Sequence, residues 1–517
     1  MTSRNPRLRL LVAAVLALGA VLLAAAPASA HAVLETTEPV GGTAVATSPE
    51  RVVLRFSEAV QIPPQAIRVF SSPGGDQVEA GSAGRADGQS NAVTAKLPKL
   101  DKGAYIVTWR VTSADAHPIH GAFTFTVGEA KGAEADAALV QKLLASGGGD
   151  TTVGAVYAVI RFAAFASLVL LVGALAFVTL LWPAGVAVAR TRQILWGAWA
   201  VALVTTVVGI PIQAAYVAGL PVSKALSSTV RSAMFDDRFG QVWSARVLIL
   251  GITAALLAFL FRSIPGKERQ NVPPGLVAGG GLLAVGLLLT PGLAGHAATQ
   301  DLVPLAIVSD VLHVGAVSVW LGGLALLALA VLPRRVAGEL EVVVPRFSRL
   351  AFAAVITILV TGTFQSWRQV RSTAALTETT YGRLLIVKVV LFGVVVALGA
   401  LSRRFVQARY RAPAARLSFG PGAATLGGSR RPYRGDTPRP PGADPDSEIV
   451  AGLRRTVGAE TVIAIVVLAV TALLVNAQPA RSALAQPFST SMRSDLVLVD
   501  VTVDPAKAGP ADFHLYT

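Results

Sequence analysis

The side chains able to hold a metal are few: the 517 residues include six His, three Met and no Cys. Without thiols there are no disulfides, iron–sulfur clusters or cysteine nucleophiles, and a metal centre must draw on His, Asp, Glu, Met or backbone groups. Two candidates stand together as Asp115-Ala116-His117, in a turn between two runs that read as strands. Residues i and i+2 of an extended segment project to one side, so this carboxylate and imidazole can face one ion. A third candidate is His31. It follows Ala28-Ser29-Ala30, the apolar stretch Leu10–Ala26 and the basic Arg4, Arg7 and Arg9. These are the parts of a secretory signal peptide, residues 1–30. Cleavage there makes His31 the first mature residue, with an imidazole and a free amine able to chelate one metal. The amine's reference pKa is about 8, so a metal displaces its proton at neutral pH. Three nitrogens and one carboxylate oxygen form a tetragonal set suited to Cu(II).

The elements that must position these groups are short strands. Val52–Phe56, Ala66–Phe70, Tyr105–Val111 and Ala122–Val127 are β-rich, with Gly, Pro, Asp and Ser between them. The spacing predicts an all-β, Ig-like sandwich or barrel over residues 31–128. His31, Pro39-Val40-Gly41-Gly42, Phe56-Ser57-Glu58 and Asp115-x-His117-Pro118 together resemble the CopC family of periplasmic copper-binding proteins. The resemblance implies that His31, Asp115 and His117 bind Cu(II), with Glu58 as an accessory carboxylate nearby. Family members with a Cu(I) site carry a Met-rich stretch; residues 31–128 contain no Met, which implies that this second site is absent. His120 reads equally as a spare ligand or as a surface residue.

Beyond this domain the chain changes character. Hydrophobic residues make up 53% and charged residues 15% of the whole, with mean hydropathy +0.60; soluble proteins carry roughly 25% charge. The net charge of +15 alone would suggest nucleic acid. The Arg residues, however, gather in short loops between apolar runs, as topology signals do, so no nucleic-acid partner is expected. Eight runs are long enough to cross a bilayer: 154–182, 194–218, 241–261, 273–293, 304–332, 347–367, 384–402 and 456–476. The expected order is a linker at 129–152, seven transmembrane helices within 153–402, a cytoplasmic Arg-, Pro- and Gly-rich disordered loop at 403–455, the eighth helix at 456–476, and an extracytoplasmic tail at 477–517. Arg190, Arg192, Arg262, Lys267, Arg269, Arg334, Arg335 and Arg346 then face the cytoplasm, with the β-domain outside the plasma membrane. In the tail, Ser494–Val503 and Phe513–Tyr516 read as strands, either the start of a second β-domain or an addition to the first; His514 is a weak ligand candidate.

Polar groups in apolar runs mark function, because lipid exposure costs several kcal/mol. They are Arg161, Gln213, Arg246, His296, Asp310, His313, Gln365 and Lys388, all expected in the outer half of the membrane. Asp310 and His313 share a helical face at i, i+3. A three-helix unit looks duplicated. Phe239-Gly240-x-x-Trp243-x-x-Arg246 matches Tyr381-Gly382-x-x-Leu385-x-x-Lys388, Gln213 matches Gln365, and Trp182-Pro183 matches Leu332-Pro333. Gly295-His296-Ala297, Asp310-x-x-His313 and Trp320-x-Gly322-Gly323-Leu324 resemble the CopD family of copper-resistance and copper-uptake membrane proteins. That resemblance implies that His296 and His313 are copper ligands or relay groups, with Asp310 as an accessory group and copper as Cu(I) or Cu(II). The expected function is copper capture and transport without enzymatic activity. Copper ions and the lipid bilayer are its partners, and an extracytoplasmic copper donor or reductase would be further ones. Two other readings stand beside it: a membrane redox protein using haem or copper, and a copper sensor or sequestration module without transport.

Overall fold

A computed structural model describes residues 32, 34–113, 118–128, 137–147, 150–235, 238–262, 272–295, 297, 302–334, 336–370, 372–410, 445–477, 480, 488–494, 497–504 and 512–516. Among these residues nine strands form the N-terminal domain: β1 (Leu34–Glu38), β2 (Ala44–Val45), β3 (Arg51–Phe56), β4 (Ile67–Ser72), β5 (Gln77–Val78), β6 (Gly84–Arg85), β7 (Ala92–Lys96), β8 (Gly103–Thr112) and β9 (Pro118–Val127). They make two sheets, ordered β1-β3-β7-β6 and β2-β9-β8-β4-β5. Val52, Leu54, Phe56, Val69, Val93, Val107, Val111 and Phe125 fill the space between them. Strand β9 begins at Pro118, so His120 stands within the strand, opposite Arg110 of β8, and not in the turn. A Cβ at Gly121 would overlap the Trp109 indole, so this ladder position requires a glycine.

The segment expected to be a linker contains a helix, Ala137–Gly147, which packs against β8 and β9. Its Leu143 lies beside Trp109, Arg110 and His120.

Among the described residues, eight helices long and apolar enough to cross a membrane follow: Thr151–Leu180, Ala189–Ala218, Arg238–Arg262, Pro274–Leu293, Val303–Arg334, Gly338–Val370, Thr380–Arg404 and Arg455–Val475. Their outer surface is apolar, with Val204, Leu248, Leu282 and Val390 exposed where lipid would lie. The first and fifth spans cross at the centre. A Cβ at Gly173 would collide with the Ser318 carbonyl oxygen, and one at Gly322 would lie 2.5 Å from the Val169 carbonyl oxygen. Small residues permit this backbone approach, as is general for helices packed in membranes. Both spans also unwind alike. A π-helical turn at Phe177–Leu181 precedes Trp182-Pro183, and one at Leu327–Val331 precedes Leu332-Pro333. The repeated Pro-bearing motif thus carries a repeated backbone irregularity.

The seventh helix continues to Tyr410 and the eighth begins at Pro445, so both reach into the segment expected to be a loop. The tail forms its own antiparallel sheet, β10 (Phe488–Ser494), β11 (Val497–Asp504) and β12 (Asp512–Tyr516), separate from both N-terminal sheets.

Candidate functional site

His31, Asp115, His117 and His296 lie outside the described residues; their immediate neighbours do not. Ala32, next to His31, is buried in the β-domain core. Leu34 pairs with Phe56 at the end of β3, and the Phe56 ring packs edge-on to Trp109 of β8 at 5.3 Å. Beyond Phe56 the chain passes Glu58, which is half-buried with one carboxylate oxygen turned away from solvent. Gln61 then closes two hydrogen bonds with Thr112: Gln61 N–H donates to the Thr112 carbonyl at 2.7 Å, and Thr112 N–H donates back at 3.0 Å. Ser113, fully buried, follows directly. The described neighbours of His31, of Glu58 and of residues 115–117 are therefore drawn to one edge of the sandwich by backbone pairing and a shared core.

His120 is set apart from that edge. Desolvation by its packed neighbours, with the charge of Arg110 across the ladder, holds the imidazole of this exposed residue below the ordinary histidine range.

The β-domain is fastened to the helices through Arg110. Its Nε donates to the Val217 carbonyl at 2.6 Å and its Nη2 to the Tyr216 carbonyl at 2.9 Å. These carbonyls belong to the last turn of the second span, which ends at Gly219 in the left-handed conformation (φ 69°). A cation at a helix C-terminus satisfies carbonyls left without intrahelical donors and complements the helix dipole.

The intramembrane polar groups gather at this same end of the bundle. Tyr157 near the start of the first span meets Tyr216 and Phe239. Arg161 donates to the Val475 carbonyl of the eighth span at 3.2 Å and lies 4.9 Å from the Tyr157 ring. Gln365 donates to Asp310 at 3.4 Å, tying the sixth span to the fifth. A Cβ at Gly292 would stand 2.7 Å from Asp310 Oδ2, so the end of the fourth span rests on that carboxylate.

Between these helices is a cavity of about 490 Å³, lined by Asp310, His313, Gln365, Gln369, Tyr381 and Lys388 over a largely aliphatic wall. Gly295 and Ala297, flanking His296, also line it. His313 Nδ1 lies 2.9 Å from Thr361 Oγ1. The Thr361 hydroxyl donates to the Thr357 carbonyl at 2.6 Å, so its oxygen accepts from Nδ1–H. In that tautomer Nε2 carries the lone pair with which His313 could coordinate a metal, the arrangement by which outer hydrogen bonds orient metal-binding imidazoles. Lys388 is within Coulombic reach of both Asp310 and His313.

Three protein-family models match successive parts of the chain: the CopC domain at 34–128, the copper resistance protein D-like N-terminal domain at 150–304, and copper resistance protein D at 341–474. Copper transport protein CutJ of Bacillus subtilis (strain 168) is 30% identical over 385 residues, 72% of this chain and 67% of CutJ. The chain belongs to the CopC–CopD family of copper resistance and transport proteins. Copper resistance protein C of Escherichia coli is 36% identical over 121 residues, 22% of this chain and 94% of that protein. Among solved structures, CopC from Methylosinus trichosporium OB3b is 33% identical, over 19% of this chain and 93% of that chain, with a TM-score of 0.18.

In this CopC–CopD fusion the two three-span units differ in filling. In the first, Trp243 stacks on Phe239 at 4.3 Å and presses onto Gly209, whose Cβ would lie 2.5 Å from the indole. Arg246 is buried beneath it, 5.4 Å from that ring, and is not among the residues that line the cavity. In the second, Leu385 replaces Trp243, and Thr361 occupies the place of Gly209, four residues before each glutamine. The smaller side chain leaves the cavity, and the hydroxyl supplies the partner of His313.

The sequence reading did not single out Gln369, Tyr381 or Trp320 as cavity residues, nor Glu460. Glu460 is buried in the eighth span, where its Oε1 accepts from Ser402 Oγ at 2.6 Å. It sits only five residues inside that span, close enough to Arg455 to pass for a boundary charge.

Proposed function

We propose that this protein captures Cu(II) outside the cell at His31, Asp115 and His117 and passes copper to the bundle cavity at His313 and Asp310, with His296, whose neighbours Gly295 and Ala297 line that cavity, as a further ligand. The observation that carries this reading is the Arg110 clamp. It seats the β-domain on the bundle end where Asp310, His313, Gln365 and Lys388 converge. Joining capture domain and cavity in one chain raises the effective concentration of bound copper for the second site. The basic loops at the opposite end support an extracytoplasmic position for the β-domain. The tetragonal donor set of the outer site favours Cu(II), and Nε2 of His313 offers an imidazole acceptor within the membrane.

The test is copper uptake into proteoliposomes by the full chain and by His313→Ala and His296→Ala. The reading expects uptake by the parent chain and its loss in both variants. Parent-level uptake in both variants removes the cavity from the path. No uptake by the parent chain leaves a copper-binding module without transport.

A further inference from the structure

A second, smaller cavity of about 180 Å³ lies in the opposite half of the bundle. It is lined by the ends of the fifth and seventh spans and the beginnings of the sixth and eighth, among them Ser348, Ala400, Ser402, Arg403 and Glu460. Glu460 is the one acid among the described lining residues, and only 3% of it is exposed. Ser402 holds one carboxylate oxygen, and the other faces Gly399, where a Cβ would stand 3.9 Å away. The basic group in this cavity is held to the wall: Arg403 donates to the Ser348 carbonyl at 3.1 Å and lies 4.4 Å from the Phe352 ring.

Trp320 lines both cavities. Its indole meets Phe392 edge-on at 6.0 Å and 90°, and it is almost fully buried. It rides on the π-helical turn Ser318–Gly322, beside the Gly173–Gly322 crossing. Such turns inside α-helices recur at functional sites, because they release the regular hydrogen-bond ladder locally.

We propose that Glu460 and Ser402 form a second cation-binding station, on the far side of a Trp320–Phe392 gate from His313 and Asp310. The proposal rests on the copper-transport reading and adds its exit side. A buried carboxylate in a membrane span is costly unless it meets a partner or a cation. One serine hydroxyl satisfies one of its two oxygens, and the other opens toward a cavity with room for a partly hydrated ion. The aromatic pair closes the route between the stations when neither moves, as an apolar constriction does in a channel.

Two measurements on the full chain test it. The first is copper flux into proteoliposomes by Glu460→Gln, which keeps an acceptor for Ser402 and removes the charge. Loss of a ligand costs at least what loss of an outer-shell partner costs, so flux should fall about tenfold or more. Copper bound by the external domain should be unchanged, and Glu460→Asp should restore part of the flux. Parent-level flux in Glu460→Gln overturns the station.

The second uses the absence of cysteine. Ser366→Cys in the larger cavity and Ala400→Cys in the smaller one are exposed to a membrane-impermeant maleimide from each face of oriented vesicles. Labelling of each from its own face alone supports the gate, as does cross-labelling on adding Trp320→Ala. Labelling of both from one face with Trp320 intact overturns it. If the parent chain moves no copper, the transport reading fails. The station is then judged by equilibrium copper binding: one equivalent fewer in Glu460→Gln upholds it, and an unchanged number overturns it.

Discussion

Arg110 of the β-sandwich and Val217 of the second span are joined by a 2.6 Å hydrogen bond, from a buried guanidinium to a carbonyl at a helix C-terminus. A second bond, to Tyr216, completes the contact. Hydrogen bonds to charged groups contribute about 1.5–3 kcal/mol each. Arg110→Leu should therefore loosen the β-domain while leaving its copper affinity intact. In proteoliposomes, uptake should fall most at low copper, where docking supplies the effective concentration, and recover at saturating copper. Uptake reduced equally at all copper concentrations would show that the clamp has no role in delivery.

His120 gives a pH signature for the same junction. Its folded-state pKa is depressed, so at acid pH the unfolded chain binds the extra proton more readily. Stability linked to this residue is full above the ordinary value of 6.5 and declines as pH falls below it. His120→Gln should flatten that part of the pH–stability curve, measured by thermal unfolding of the full chain in detergent. Superimposable curves for the two proteins would mean that the imidazole is not shifted.

The proposal that the amine of His31 is a ligand of the outer site is open to a direct test. Leaving one extra residue ahead of His31 in the mature chain separates the amine from the imidazole's chelate ring. Cu(II) affinity should then drop by orders of magnitude in equilibrium titration, with the chain otherwise folded. An undiminished affinity excludes the amine as a ligand.

The unequal repeat suggests how to close the larger cavity. Trp243 fills the first unit, whereas its counterpart Leu385 leaves the second hollow. Leu385→Trp should occupy that space and abolish copper uptake, with little loss of detergent stability because the cavity already exists. Uptake at the parent level would show that copper travels elsewhere.

Much of this architecture is readable from hydropathy and spacing. The eight spans follow from apolar length alone. Asp310, His313, Gln365 and Lys388 stand out because charge and amide are rare in such runs, and their common depth follows from counting along antiparallel helices. Strands β8 and β9 announce themselves by β-branched and aromatic content, with Asp115 and His117 falling between them in the sequence. Other features had weaker signals. Leu139 and Leu143 lie in a stretch flanked by Gly and charged residues, so its packing against the sheet is a tertiary effect. The docking of Arg110 is a contact across more than a hundred residues, and nothing local to β8 records it. The π-helical turns leave no compositional trace beyond the Pro that follows two of them. Trp320 looks like ordinary core until two cavities are seen to meet at it.

The Arg110 clamp attaches to the second span, beside the stack of Tyr157, Phe239 and Trp243, and so to the solid three-helix unit. The hollow unit carries the larger cavity and most of the smaller one. Through Arg110 the β-domain thus stands on the filled half of the bundle, and the hollow half lies beside that footing. Any rocking that opened one chamber after the other would leave the receiving platform still, so cargo would always be offered from one fixed place.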